Sequence, residues 1–356
     1  MAAYTTIDDP SAYFQNLLWT GNNTDGTALT FDGNSDMQPD FVWVKHRNGT
    51  GYHGLFDSVR GVTKRLHTNT TGAEGTVAES LQSFNSNGFT VGNNSEINGS
   101  SKNYVSWNWK AGTSFTNDAS STSVGTIDSA GSFNNDAGFS IVSFTGTGSS
   151  GTIKHGLNSA LSIIIVKGRD FVDNWCMFHS SLGGGKKLKL NTTGAEIASS
   201  SAWNNTSPTS SVFSVADDGE TNNNGSAMIA YCFAEKQGYS KFGSYTGNGN
   251  ANGTFIYTGF KPAFFLQKKS SASGSYWNIW GYTSLSGSNP IGRRLFPNVT
   301  AAESSQDSSP MADFCSNGVK LRQTDADYNG SGVTYIYMAF AENPFVTSTG
   351  VPATAR

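Results

Sequence analysis

The chain has 356 residues, 41 of them glycine, a formal net charge of −3 and 14% charged residues. That length exceeds what one compact core usually organises, and charge so sparse, with no block of one sign, excludes an electrostatic surface for nucleic acid or anionic lipid. No stretch has the apolar length of a membrane span, and the opening MAAYTTIDDPSAYFQNLLW lacks the basic-then-apolar pattern of a secretory signal, so a soluble protein without membrane insertion is expected.

Read in chain order, the first strong element is the aromatic run FQNLLWTGN (14–22), closing on Thr-Gly. PDFVWVKHR (39–47) follows, then KRLHTNTTGAE (64–74), then SFNSNGFTVG, then YVSWNWKA (104–111). The runs are short, rich in β-branched and aromatic residues, and bounded by Gly, Asn, Asp and Ser, which predicts strands. SFNSNGFTVG reads as a hairpin with Asn87 and Gly88 in its turn. Residues 112–138 are small and polar, with isolated apolar residues, and read as an extended linker or a ribbon laid over a neighbour.

After residue 138 the same order returns. FSIVSFTGTG (139–148), LSIIIVKGR (161–169), KKLKLNTTGAE (186–196) and MIAYCFAE (228–235) repeat the first series, and YSKFGSYTGNG (239–249), PAFFLQKKS (262–270), RRLFPNVTAAE (293–303) and YIYMAFAE (335–342) repeat it again. A threefold recurrence of this length predicts tandem domains, unlike a solenoid of short repeats. The expected division is repeat one over 1–111, a polar linker over 112–138, repeat two over 139–236, repeat three over 237–343 and a tail over 344–356. Only KQG separates repeats two and three, so these two should be closely coupled and repeat one more independent. Sustained helical periodicity is absent, and the expected fold is all-β: three tandem antiparallel two-sheet sandwiches of jelly-roll or lectin type. In YIYMAFAE apolar residues occupy both parities, as in a strand covered on both faces.

The recurring motif places Asn69, Gly72 and Glu74, then Asn191, Gly194 and Glu196, then Asn298 and Glu303, at matching positions. This is the chemistry of a strand entering a tight turn, with Asn capping backbone locally and Gly taking a positive φ. A repeated ligand or calcium site would instead need several oxygens converging on one point. The asparagines also match the glycosylation sequon, which carries little meaning without a secretory signal.

Cys176, Cys232 and Cys315 are too few and too scattered for a disulfide framework or a zinc site, and Cys176 and Cys232 read as buried thiols. No cofactor and no metal is expected. Catalysis by paired carboxylates has two candidate clusters, Asp217, Asp218 and Glu220, and Asp325 and Asp327, both in turn contexts that read as solvated loop tips. None of His46, His53, His67, His155 and His179 recurs in all three copies, and an enzyme is not expected. Trp43, Trp107, Trp175 and Trp277 lie in or beside strands and read as core. Trp203, in the polar stretch SSSAWNNTSPTSS, and Tyr276 are the expected exposed contact residues, since aromatic rings with Asn and Asp nearby suit glycan recognition.

The strings GFSIVSFTGTGSSGTIKHGLNSALSIIIVKGRDFVDNW, VWVKHR, LFDSVRG, YVSWNWKAG and the closing ENPFVTSTGVPATAR resemble a family of tailed-phage structural proteins, seen especially in marine phages and cyanophages. The resemblance implies repeated concanavalin A-like or laminin G-like β-sandwich domains in a virion component assembled in the host cytoplasm. It implies a tail fibre or appendage, or a capsid decoration protein. The partners would be other virion proteins of the tail or capsid and a host cell-surface glycan, with a homo-oligomer, a trimer in a fibre, as the expected state. Repeat three departs furthest, with SYTGNGNANGTFIYTGFKP in place of TGTG and HGL. A free carbohydrate-binding lectin is the rival class, and a depolymerase a third.

Overall fold

The computed structural model describes residues 3–352 and is built almost entirely of antiparallel strands. Repeat one comprises β1 (Phe14–Thr20), β2 (Thr27–Leu29), β3 (Phe41–His46), β4 (His53–Asp57), β5 (Lys64–His67), β6 (Gly75–Thr76), β7 (Leu81–Asn85), β8 (Gly88–Val91) and β9 (Asn103–Trp109). Next come β10 (Thr113–Asn117), β11 (Ser129–Asn134), β12 (Phe139–Thr145), β13 (Gly151–Lys154), β14 (Ile163–Gly168), β15 (Cys176–His179), β16 (Lys186–Lys189), β17 (Ile197–Ala198), β18 (Val212–Val215) and β19 (Ala227–Phe233). The last group is β20 (Ser240–Thr246), β21 (Phe255–Tyr257), β22 (Phe260–Lys269), β23 (Asn278–Gly281), β24 (Arg293–Arg294), β25 (Ser304–Ser305), β26 (Ala312–Cys315), β27 (Gly318–Leu321) and β28 (Thr334–Pro344).

Each repeat has a larger and a smaller sheet. The larger sheets share one order, β1-β9-β3-β4, β12-β19-β14-β15 and β20-β28-β22-β23, so the last strand of every repeat inserts between its first strand and the strand formed by its second run. The smaller sheets are β2-β8-β7, β13-β18 and β21-β27-β26. Strand alternation then assigns two apolar faces. In β14, Ile164 and Val166 face the small sheet and pack with Phe213 and Val215, while Ile163 and Ile165 face the opposite way.

The three opposite faces meet in a single core. Register makes Trp109, Phe233 and Phe340 equivalent, for they pair with Phe41, Ile163 and Phe264 respectively. Their rings contact one another around a circle, with centroids 6.2 Å apart for Trp109 and Phe233, 5.9 Å for Phe233 and Phe340, and 5.5 Å for Trp109 and Phe340. The repeats therefore surround an approximate threefold axis. Trp43, Trp107, Trp175 and Trp277 are buried in this shared core, as the sequence pattern expects. Each repeat has a private core under its small sheet, and the largest apolar cluster belongs to all three.

Of the two readings of residues 112–138 the ribbon holds and the linker does not. β10 and β11 extend the large sheet of repeat two, with β11 paired along β12, because small residues such as Gly131 let backbones close up; a Cβ there would stand 1.9 Å from Ile141 O. Repeat one is not independent either, since Phe14 packs on Phe264 and Phe340 of repeat three and Phe41 stacks on Tyr231 of repeat two. The expected hairpin forms between β7 and β8, with its turn one residue earlier, at Ser86 and Asn87. Gly88 opens the return strand at φ +100°, and Leu29 O lies 2.0 Å from where its Cβ would be. The tail expected over 344–356 begins as the end of β28, and its last residues lie outside the described ones.

The Thr-Gly that closes each first strand has a shared cause. Asn98, Asn222 and Asn329 are fully buried, and their Oδ1 atoms accept from Asn22 N, Thr147 N and Asn248 N at 3.1, 2.8 and 3.0 Å. The loop is pulled so close that a Cβ on Gly21, Gly146 or Gly247 would meet a carbonyl oxygen at 2.2, 2.1 or 2.4 Å.

Candidate contact surface

The recurring motif is the joint between repeats. Asn69, Asn191 and Asn298 each accept, through Oδ1, from a backbone amide across the sheet: His53 N at 3.0 Å, Trp175 N at 3.0 Å and Trp277 N at 3.1 Å. The caps are thus cross-strand, where local capping is expected from sequence. Two residues on, carbonyls reach the next repeat around the ring: Thr71 O accepts from Asp173 N at 2.9 Å, Thr193 O from Gly274 N at 3.0 Å and Thr300 O from Gly51 N at 2.9 Å. The glutamates continue the pattern, with Glu74 N donating to Arg169 O, Glu196 N to Ser270 O and Glu303 N to Arg47 O at 2.7, 2.9 and 2.8 Å. One into two, two into three, three into one: the ring closes within one chain.

Side chains strengthen two of the three joints. Glu74 takes Arg169 in a two-pronged bond at 3.0 and 3.0 Å and Arg60 at 3.1 Å, and Glu303 takes Arg47 at 2.6 and 3.2 Å. Ser270 stands where Arg47 and Arg169 stand, so Glu196 turns back to Lys186 of its own repeat. Gly72 and Gly194 do not adopt the expected positive φ, and their nearest neighbours lie at ordinary contact distance, 3.5 and 3.4 Å, which fits Ala301 in the third copy. The oxygens of the motif point to amides and guanidinium groups, and no group of His, Cys, Asp or Glu suited to a metal ion occurs among the described residues.

Beneath each joint lies a buried lysine. Lys45, Lys167 and Lys268 are inaccessible to solvent, and their Nζ atoms donate to the next residue's carbonyl at 2.6, 2.9 and 2.9 Å. Lys45 and Lys268 also reach across the joint to Thr300 O and Thr193 O at 3.4 Å. Burial, which penalises the ammonium, pushes each down to about 8.

Trp203 is not an exposed contact residue. It is 1% exposed and sits edge-on to Phe178 at 5.7 Å in the private core of repeat two, because the polar stretch around it folds over that core. Tyr276 is 42% exposed, its ring 5.2 Å from Phe296. Register reveals a partner that sequence reasoning passed over: Tyr52 precedes His53 as Tyr276 precedes Trp277, is 46% exposed and stacks on His67 at 4.6 Å. The available signal was the residue before the His53, Trp175 or Trp277 position, Tyr, Asn or Tyr in the three copies. Asn174 holds the place in repeat two.

Each of these positions borders a self-neutralising cluster. Glu96 meets Arg65, and His67 Nε2 lies 2.7 Å from its Oε1. Burial alone would raise the Glu96 carboxyl, but His67 and the Arg65 guanidinium outweigh it and hold the pKa below the usual range. In repeat two Glu220 takes Lys187 at 2.8 Å, Lys189 at 2.6 Å and Asn174 at 2.8 Å, again outweighing burial, while Asp218 pairs with Lys187. These two acids are therefore not solvated loop tips; only Asp217 of that cluster is exposed. In repeat three Arg294 lies 3.9 Å from Asp327 with its guanidinium 5.1 Å from the Phe296 ring centre. Acid and base cancel beside each tyrosine, leaving a polar, uncharged surface around a projecting ring.

No curated protein and no solved structure matches the chain significantly. One family model does, over residues 9–344, a span that takes in all three repeats of the ring. The chain belongs to that family, described as a domain of unknown function, DUF7483.

Proposed function

We propose that the protein is a non-enzymatic structural component of a phage virion surface, a tail fibre or appendage that presents a receptor-contacting or glycan-contacting face. We read each repeat as a pared-down concanavalin A-like sandwich of jelly-roll type. The observation that carries the proposal is the pairing of a ring closed by its own backbone with two projecting tyrosines, Tyr52 and Tyr276, at matching positions. A rigid ring with carboxylates already spent on arginine and lysine is suited to holding a surface in place. An uncharged ring face beside hydrogen-bonding groups suits the hydroxyl-rich, neutral face of a glycan.

Capsid decoration is the second reading, and a specific observation favours it. A fibre gains threefold symmetry by assembling three chains, whereas this chain completes an approximate threefold by itself, which suits a seat on a threefold position of a larger shell. Immunogold labelling of purified particles separates the readings: label at tail tips supports the first, label across the capsid the second, and no label overturns both. Tyr52→Ala with Tyr276→Ala should leave the melting temperature unchanged and abolish adsorption to host cells or glycan arrays. Unchanged adsorption would remove the glycan-contacting role.

A further inference from the structure

The first strand of each repeat, β1, β12 or β20, starts the common strand order. In repeat two its outer side is covered. β11 pairs with β12 from Ser129 opposite Phe144 to Asn134 opposite Phe139. The chain just before β11 crosses to the small sheet, where Thr126 N and Ile127 N donate to Thr152 O at 2.8 and 3.1 Å and Ile127 bridges Ile153 of β13. Residues 126–134 thus fill the groove between the two sheets with extended backbone. Repeat three has the same two edges, β20 and β21, and among the described residues no strand lies between them.

One end of that groove, between Ser240 and Lys241 on one side and Tyr257 and Thr258 on the other, holds a cavity of about 220 Å³ bordered by Tyr4, whose Oη donates to Gly259 O at 2.7 Å, and the groove continues from there toward Ser244 and Phe255. Antiparallel pairing fixes which backbone groups remain free. Leu321 N donates to Thr254 O and Thr258 N to Asn317 O, so even-numbered residues of β21 face β27 and the backbone of Phe255 faces away. Ala341 N donates to Tyr239 O and Gly247 N to Val333 O, so odd-numbered residues of β20 face β28 and Ser244, which is exposed, turns its backbone outward. Ser244 occupies the place at which Ser143 pairs with Ala130 in repeat two.

The flanking side chains differ between copies. Around the buried middle residue stand Thr152 and Lys154 in repeat two, Ala28 and Thr30 in repeat one, and Phe255 and Tyr257, 43% and 54% exposed, in repeat three. In repeat two Lys154 lies 5.9 Å from the ring centre of Phe115, a residue of the covering hairpin. We infer that the repeat-three groove is a docking site for an extended polypeptide segment of a partner protein, added to β20 as β11 is added to β12, with an apolar side chain set against Phe255 and Tyr257. Ser240 N and Phe242 N are taken by Lys236 O and Glu235 Oε2, so it is the Ser244 end of the edge that selects extended backbone, and the filled groove of repeat two is the pattern for it. The inference does not depend on where in a particle the protein sits.

The test uses the full chain and a fluorescent peptide with the sequence of residues 124–136, VGTIDSAGSFNND, the segment that fills the corresponding groove. Saturable binding is expected, with slowed amide exchange at Ser244 and Phe255 and no binding of a scrambled peptide. Ser244→Pro removes an outward amide at an edge position that tolerates proline and should weaken binding about tenfold or more. Tyr257→Thr, the residue type of repeat one, should also weaken it, and guards against a fold defect in the proline variant. No binding at millimolar peptide, binding indifferent to both substitutions, or exchange protection that rises with protein concentration alone would each overturn the inference, the last by giving the edge to a second copy.

Discussion

At the scale of single residues, the motif that recurs three times does unequal work. Glu74 holds two guanidinium groups, and Arg60 beside it is fully enclosed with Asp57. Removing the Glu74 charge leaves a buried cation short of a partner, a defect that costs about 3 kcal/mol in comparable sites. Glu196 has no arginine across the joint because Ser270 stands at that position, and its pair with Lys186 is half-exposed, worth well under about 1 kcal/mol. Glu74→Gln should therefore lower denaturant stability by about 2–4 kcal/mol and Glu196→Gln by less than about 1 kcal/mol. Equal losses would show that the backbone bonds, not the side chains, hold the joints.

The buried lysines give a pH signature with a definite sign. Each is held near 8 in the folded chain, below the unfolded value near 10.4, so between these values the unfolded chain binds more protons and stability rises with pH. Below pH 8 both states are protonated and the penalty is constant. From about pH 8.5 the buried thiols of Cys176 and Cys232, and above pH 10 the buried Tyr231 and Tyr239, all with pKa values raised by burial, work the other way, because the unfolded chain loses these protons first. The lysine term is therefore read by difference: between pH 8 and 10, Lys167→Met should lower the slope of urea stability against pH by at most of order 1 kcal/mol per unit relative to the wild-type chain. An unchanged slope would mean that the Lys167 amine is as solvated in the folded chain as in the unfolded one.

At the scale of elements, strands were legible because their alternation is local, and turns were legible as places more than as geometries. The hairpin at Ser86 and Asn87 was foreseeable from its Asn-Gly pair, yet the glycine turned out to serve a close approach to Leu29 one residue beyond the turn. In the recurring motif the reverse holds, for a Cβ on Gly72 would meet only Thr70 Oγ1, at an ordinary 3.5 Å, and its φ is not positive. Gly88→Ala should accordingly cost more than about 2 kcal/mol and Gly72→Ala less than about 0.5 kcal/mol, read from thermal midpoints. The hairpin of β10 and β11 was hidden by composition, since its small polar residues owe their strand conformation to the free edge of β12 and not to their own propensity. Trp203 was misplaced for a related reason: burial came from what folds over it, and nothing in SSSAWNNTSPTSS reports that.

At the scale of the molecule, the apolar residues on both parities of YIYMAFAE already required a second cover for the sheet, but no local pattern says that the cover is the rest of the chain. Phe139, Ile141, Ile163, Tyr231 and Phe233 of repeat two are each at most 1% exposed, and all belong to the shared core. An excised repeat would turn this face to water, at about 2 kcal/mol for each large side chain uncovered. Five such side chains cost about as much as the whole stability of a typical domain. The chain should therefore unfold in one calorimetric transition, with its calorimetric and van't Hoff enthalpies in agreement, whereas three tandem domains with private cores would melt in up to three steps. A fragment covering residues 112–236 should be unfolded or self-associated through that face, and a soluble, monomeric, cooperatively melting fragment would show that the central cluster of Trp109, Phe233 and Phe340 packs without supporting the repeats around it.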